Sequence, residues 1–134
     1  MSIKAQLEQA IATTNTPADW IGIRAMRETA TTRSARDGQP QSNHTSLTQG
    51  AMVEVLAQGQ FGYAATNQLT PAGLQQAIQV AYQQAIAAQP WGIYQWTTAQ
   101  RPKVVGTYQS PAVKGLNALS PAELNDLLLR ICQA

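Results

Sequence analysis

Hydrophobic and polar positions along this chain change period several times, and each change marks an element. Ile3, Leu7, Ala10 and Ile11 recur at helical spacing behind Ser2, a good N-cap, so a short amphipathic helix is predicted there. Asn15-Thr16-Pro17 ends it, because the residue before a proline disfavours the helical region. From Trp20 to Arg27 the pattern alternates. Ile21, Ile23 and Ala25 fall on one side and Trp20, Arg24 and Met26 on the other, as in a half-buried strand. Glu28 to Arg36 is β-prone through its threonines but polar on both faces, which sets its register weakly. Asp37-Gly38 signals a tight hairpin turn, since both residues tolerate positive φ. A third strand should run from Gln39 to about His44, and Pro40 makes it an edge or a frayed start.

The stretch from Gly50 to Ala88 is the organising unit. Ala51, Val53, Val55 and Ala57 alternate with Met52, Glu54, Leu56 and Gln58. Gln58-Gly59 is a turn, and Phe61, Tyr63 and Ala65 then alternate again. Thr70 caps a helix with Pro71 at its first position, where the missing N–H costs nothing. Leu74, Ala77, Ile78, Ala81, Tyr82 and Ala85 form one face of about four helical turns. After Ala88 the period is lost. Gln89 to Trp96 is aromatic and aperiodic, Lys103 to Tyr108 reads as a short strand or an extended segment, and Ser110-Pro111 and Gly115 keep the chain loop-like. Ser120-Pro121-Ala122-Glu123 is a capping box that opens a helix with Leu124, Leu127, Leu128 and Ile131 on one stripe.

These elements predict an α+β fold: a twisted antiparallel sheet of four to five strands in consecutive hairpins, with helices packed on one face. Too few residues separate the strands for parallel crossovers. A single domain is expected over residues 1–134, with a core at 18–88, a connector at 89–119 and a C-terminal helix at 120–134. The chain stops directly after an apolar helix, the pattern of either a fragment of a longer protein or a natural terminus.

Composition narrows the function classes. The 134 residues suffice for a real core, and 44% of them are apolar. Only 12% are charged, so the surface is coated with neutral polar side chains, Gln and Thr above all. A net charge of +2 is too small to imply nucleic acid as a partner. One cysteine allows no internal disulfide, and residues 1–15 resemble neither a secretory leader nor a membrane span. The expectation is a cytoplasmic protein with no nucleic-acid or membrane partner.

Candidate chemistry is sparse. A catalytic zinc needs about three protein ligands. His44 is the only histidine, reads as an exposed polar residue, and has no ligand-spaced partner. Cys132 borders the last apolar stripe and reads as a buried, inert thiol. Arg33 and Arg36, with Arg24 and Arg27, make a basic strip along the first hairpin that Asp19, Glu28 and Asp37 offset. Trp91, Tyr94 and Trp96 are expected to pack against the helix or a neighbouring domain rather than to stack bases, since no basic run interleaves them. Glycines 59 and 62 flank hairpin residues and form no nucleotide fingerprint. No catalytic, cofactor-binding or metal-binding residue is assigned.

Three stretches together resemble a known family. Ala18-Asp19-Trp20-Ile21-Gly22-Ile23-Arg24 and Thr31-Thr32-Arg33-Ser34-Ala35-Arg36-Asp37-Gly38 are similar to the first two strands of the N-terminal domain of TldD/PmbA proteins. Gly59-Gln60-Phe61-Gly62-Tyr63-Ala64-Ala65-Thr66-Asn67, followed by a Leu-Thr-Pro and a helix, resembles that family's G-x-W/F-G-F/Y-A-S/A-T-N segment. The likeness is good over residues 18–88 and looser beyond. Gln39-Pro40-Gln41-Ser42-Asn43 stands where relatives usually carry a charged strand, and Gly50-Ala51-Met52-Val53 departs from their G-x-G-V. The resemblance implies the N-terminal, non-catalytic domain of zinc metallopeptidases also called modulators of DNA gyrase. Their zinc belongs to a His-Glu-x-x-x-His helix in a catalytic half not contained in this sequence, so no cofactor is expected here. It further implies a homodimer, contact with the catalytic domain of the same or a partner chain, and guidance of a peptide or protein substrate. Arg33, Arg36, Phe61, Tyr63 and Asn67 are the contact candidates on that reading. A second reading makes the chain a free-standing protein-interaction domain that uses Trp91, Tyr94 and Trp96. An open reading frame running on into a His-Glu-x-x-x-His helix would favour the first, and a stop codon after Ala134 the second.

Overall fold

The structure is a computed structural model that describes residues 2–101, 104–115 and 117–133. Helix α1 spans Ile3–Ala12, strand β1 Trp20–Arg36, strand β2 Gln39–Ala57, strand β3 Gln60–Thr66, helix α2 Pro71–Ala88 and helix α3 Pro121–Gln133. The strands form one sheet in the order β1-β2-β3, and β2 and β3 run antiparallel, with Val53 opposite Ala64 and Val55 opposite Gly62. The fold is therefore α+β with an antiparallel sheet. Among the described residues the sheet has three strands, not the four to five expected. Glu28–Arg36 prolongs the first strand, and Gln39–His44 runs straight into the central one. No turn interrupts either run, so the weakly patterned threonine and serine segments continue strands already begun. Hydroxyl pairs bind them together: Thr31 to Thr45 at 3.1 Å and Ser34 to Ser42 at 2.8 Å. Pro40 neither frays nor ends β2; β3 reaches only as far as Ala51, so Pro40 has no second neighbour to serve.

Both hairpin turns fall where the sequence places them. Asp37 and Gly38 have φ of 51° and 71°, and Gln58 and Gly59 have 50° and 75°. Two successive positive φ values match the right-handed twist of the flanking strands.

The chain divides into two compact units. The first comprises residues 1–27 and 49–104. Its core joins Ala51, Val53, Val55 and Ala57 of β2 to Leu74, Ala77, Ile78, Ala81 and Ala85 of α2, with Ala10 of α1. Ile21, Ile23 and Ala25 of β1 pack on the same cluster, so both helices of this unit cover one face of the sheet. Ser2 and Thr70 cap α1 and α2 as expected. Gln75 of α2 ties the helices together by donating to the Ala10 carbonyl at 2.7 Å.

The second unit comprises residues 28–48 and 105–134. Helix α3 opens with a reciprocal capping box. The Ser120 N–H donates to the Glu123 carboxylate at 2.7 Å, and the Glu123 N–H to Ser120 Oγ at 3.3 Å. Those bonds hold the Glu123 carboxyl below the ordinary glutamate range. A lowered folded-state pKa contributes stability above the unfolded value and loses it as pH falls through the folded value. The α3 signal in far-UV circular dichroism should thus hold from neutral pH through the ordinary glutamate range and decline below it. Ser120→Ala should weaken the helix by about 1 kcal/mol but only diminish that acid step, because the backbone N–H that donates to Glu123 remains. Along the apolar stripe, Leu124 and Leu128 are half-buried while Leu127 and Ile131 are exposed. Cys132 is exposed, not buried, and its sulfur accepts the Gly38 N–H at 3.4 Å. Lys103 lies outside the described residues, and Val104 to Tyr108 forms no strand.

Candidate functional site

Alternation along β2 and β3 gives the first unit a second sheet face, and the side chains there differ from those of the core. Glu54 stands opposite Tyr63 and Leu56 opposite Phe61. Trp20, on the non-core side of β1, meets Phe61 edge-on with ring centroids 6.5 Å apart. Among the described residues of this unit no helix covers this face; residues 92–101 do. The Trp96 N–H donates to the Gly59 carbonyl at 2.9 Å, and the Gln60 amide to the Tyr94 carbonyl at 2.7 Å. Trp96 lies 5.8 Å from Phe61, and Tyr94 4.8 Å from Trp96. A short turn of helix, Thr98–Gln100, then delivers Arg101 onto the sheet.

Arg101 completes the cluster. Its Nη2 donates to Glu54 Oε1 at 2.6 Å. Its guanidinium also stands over the rings of Phe61 and Trp20, 4.7 and 5.8 Å from the centroids. Cation–π attraction and the charge-assisted hydrogen bond act on the same group. The hydrogen bond to Glu54 raises the Arg101 pKa further, so the group stays charged at any working pH. Burial, and then the Glu54 carboxylate, push the Tyr63 phenol up, with Arg101 partly opposing. The Nε of Arg101 is buried without a partner among the described residues.

The structure thus gathers four of the sequence-predicted residues, Phe61, Tyr63, Tyr94 and Trp96, into one cluster. Tyr94 and Trp96, expected to pack against the helix or a neighbouring domain, pack on the sheet within this unit. Trp91 stays outside the cluster at 84% exposure, and Asn67 is exposed beyond the end of β3. Arg33 and Arg36 belong to the other unit. Arg36 is exposed and paired with its neighbour Asp37 at 3.5 Å, while the half-buried Arg33 has an Nε without a partner. Sequence reasoning missed Trp20, Glu54 and Arg101. The first two were legible as positions out of phase with the core; Arg101 sits in an aperiodic segment and gave no signal. Among the described residues no group of three or more His, Cys, Asp or Glu is placed to hold a metal ion. His44 is exposed on β2.

Residues 21–85, from β1 to the last turn of α2, match the family model for PmbA/TldA metallopeptidase domain 1. Over that stretch the chain is similar to the N-terminal domain of TldD/PmbA proteins. No curated protein matches it. The matched TldD/PmbA segment includes Glu54, Phe61 and Tyr63 and leaves out Trp20 and the covering residues 92–101. Among the described residues no helix is long and apolar enough to cross a membrane.

Proposed function

We propose that this chain serves as the non-catalytic N-terminal domain of a TldD/PmbA-like zinc metallopeptidase, making dimer contacts and guiding extended peptide to a catalytic half. The supporting observation is the family match over the sheet and α2, the elements that carry the aromatic face. Strand addition would suit peptide held in extended form. The β3 edge is partly closed to it, because the Tyr63 N–H already donates to Gln84 of α2 at 3.3 Å. Strand β1 is the other edge of the sheet and presents the longer row of backbone groups. Zinc, any modulation of DNA gyrase and a cytoplasmic location belong to this reading through the family alone.

Two measurements test it. The chain by itself should bind no stoichiometric zinc and hydrolyse no peptide, since its lone histidine and cysteine cannot supply a ligand set. Zinc by elemental analysis together with chelator-sensitive peptidase activity would overturn the non-catalytic assignment. In solution the chain should be a homodimer, with the partly exposed Leu127 and Ile131 stripe or the aromatic segment at the interface. Light scattering that returns a monomer at micromolar concentration removes the dimer contacts from the proposal.

A second reading, a free-standing interaction domain, draws on one observation. Trp91 and Ile93 are 84% and 105% exposed beside one another in the connector, a costly arrangement for a surface without a partner. Trp91→Ala would then abolish capture of that partner while leaving the fold intact.

A further inference from the structure

We propose that Glu54, Trp20 and Phe61 form a receptor for an arginine side chain of an extended peptide, and that Arg101 occupies this receptor from within the chain. The inference rests on the peptide-guidance reading above and names the side chain the sheet would select. A carboxylate and two aromatic rings within reach of one guanidinium match its three properties: its charge, its planarity and its weak hydration. The receptor's parts sit on the three strands of the sheet, so they stay in place whether or not Arg101 does.

Arg101 fits this receptor incompletely. It reaches Glu54 through one nitrogen and one oxygen, although a carboxylate and a guanidinium can pair through two parallel bonds. Its Nε–H is buried with nothing to donate to among the described residues, and a buried unmade hydrogen bond costs its full desolvation. The segment that brings it is held to the hairpin by the Trp96 and Gln60 hydrogen bonds and by aromatic contact, and its side chains are mostly exposed. A peptide arginine approaching from solvent is free to take the two-bond geometry and would lift Arg101 away. A tethered occupant competes at an effective concentration in about the millimolar range, so the intact chain should bind such a peptide weakly.

Fluorescence anisotropy with a labelled heptapeptide, Gly-Ser-Thr-Arg-Thr-Ser-Gly, and its glutamine counterpart tests this on the full chain. Arg101→Ala should bind the arginine peptide at least about tenfold more tightly than the parent chain, because the occupied fraction no longer taxes affinity. It should prefer that peptide to the glutamine one, and adding Glu54→Gln should erase the preference. Arg101→Lys, which keeps the charge but stacks less well, should give a smaller gain in the same direction. It carries the comparison should Arg101→Ala fail to fold. Equal affinity of the variant and parent chains for the arginine peptide overturns the proposal. Equal binding of both peptides overturns the arginine receptor alone and leaves peptide guidance standing. Binding of neither peptide by any variant overturns both.

Discussion

Gly62→Ala should cost about 3 kcal/mol and lower the melting temperature by more than about 10 °C. Gly62 is buried on β3 where α2 crosses the sheet. A Cβ there would meet the carbonyl oxygen of Ala81 and, at 2.6 Å, the amide nitrogen of Ala85. Both obstacles are helix backbone, which cannot rotate aside as a side chain would. Relief requires α2 to lift away from β3, and lifting it opens the contacts of Ala77, Ala81 and Ala85, which are at most 5% exposed. The alanines and the glycine are thus one device: small residues on both sides let helix and strand approach closely. Gly106→Ala is the control, because nothing lies within 4 Å of the added Cβ. It should stay within about 0.5 kcal/mol of the parent. Equal melting of parent and Gly62→Ala would show that α2 does not rest on β3 at this distance.

The consequence reaches the site. Phe61 and Tyr63 flank Gly62 on the opposite face of β3 and carry part of the aromatic cluster. A strand displaced by the helix would therefore move the rings on which Arg101 stacks. Stability and peptide binding should fall together in Gly62→Ala, whereas Arg101→Ala should alter binding without comparable loss of stability.

What the sequence disclosed follows from where its signals are strong. Positive-φ turns have few solutions, so Asp37-Gly38 and Gln58-Gly59 were legible residue by residue. Caps are equally specific, and Ser2, Thr70 and Ser120 stand at the helix starts they predict. The alternation of Ala51, Val53, Val55 and Ala57 named the buried face of β2. Strand number is harder to read because Glu28–Arg36 is polar on both faces and Gln39–His44 carries no apolar side chain but that of Pro40. Periodicity cannot tell a new strand from the continuation of an old one there. The apolar stripe beside Cys132 predicts a buried thiol. The helix has no fully buried residue, so the stripe did not carry the thiol inward. The site was half legible. Positions out of phase with the core, such as Glu54 and Phe61, declare a second face, but only tertiary structure shows what lies on it. Arg101 is 47 residues from Glu54 in sequence and belongs to no periodic element, so nothing local marks it.

The interior of α2 offers the other large effect. Ile78→Ala should destabilise the first unit by about 3 kcal/mol and Ile78→Val by about 1 kcal/mol, read from the denaturant midpoint at unchanged slope. Ile78 is fully buried and belongs to the cluster that joins Val53 and Val55 of β2 to α2. Truncation to alanine removes apolar surface from the core and leaves a cavity. Its neighbours on the helix, Ala77 and Ala81, have no side-chain length with which to fill that space. Valine removes a single methyl group and keeps the branch at Cβ, so its cost is mostly transfer. Val80, two residues on, is 39% exposed on the same helix. Val80→Ala should change stability by less than about 0.5 kcal/mol, since alanine's better helix propensity offsets a small loss of contact. Helix propensity alone would make both alanine variants neutral or better, whereas core packing separates them by more than about 2 kcal/mol. If Ile78→Ala and Val80→Ala melted alike, α2 would be held by its own propensity and caps, and the sheet face that carries Phe61 and Glu54 would lose the rigid backing that keeps it in place without Arg101.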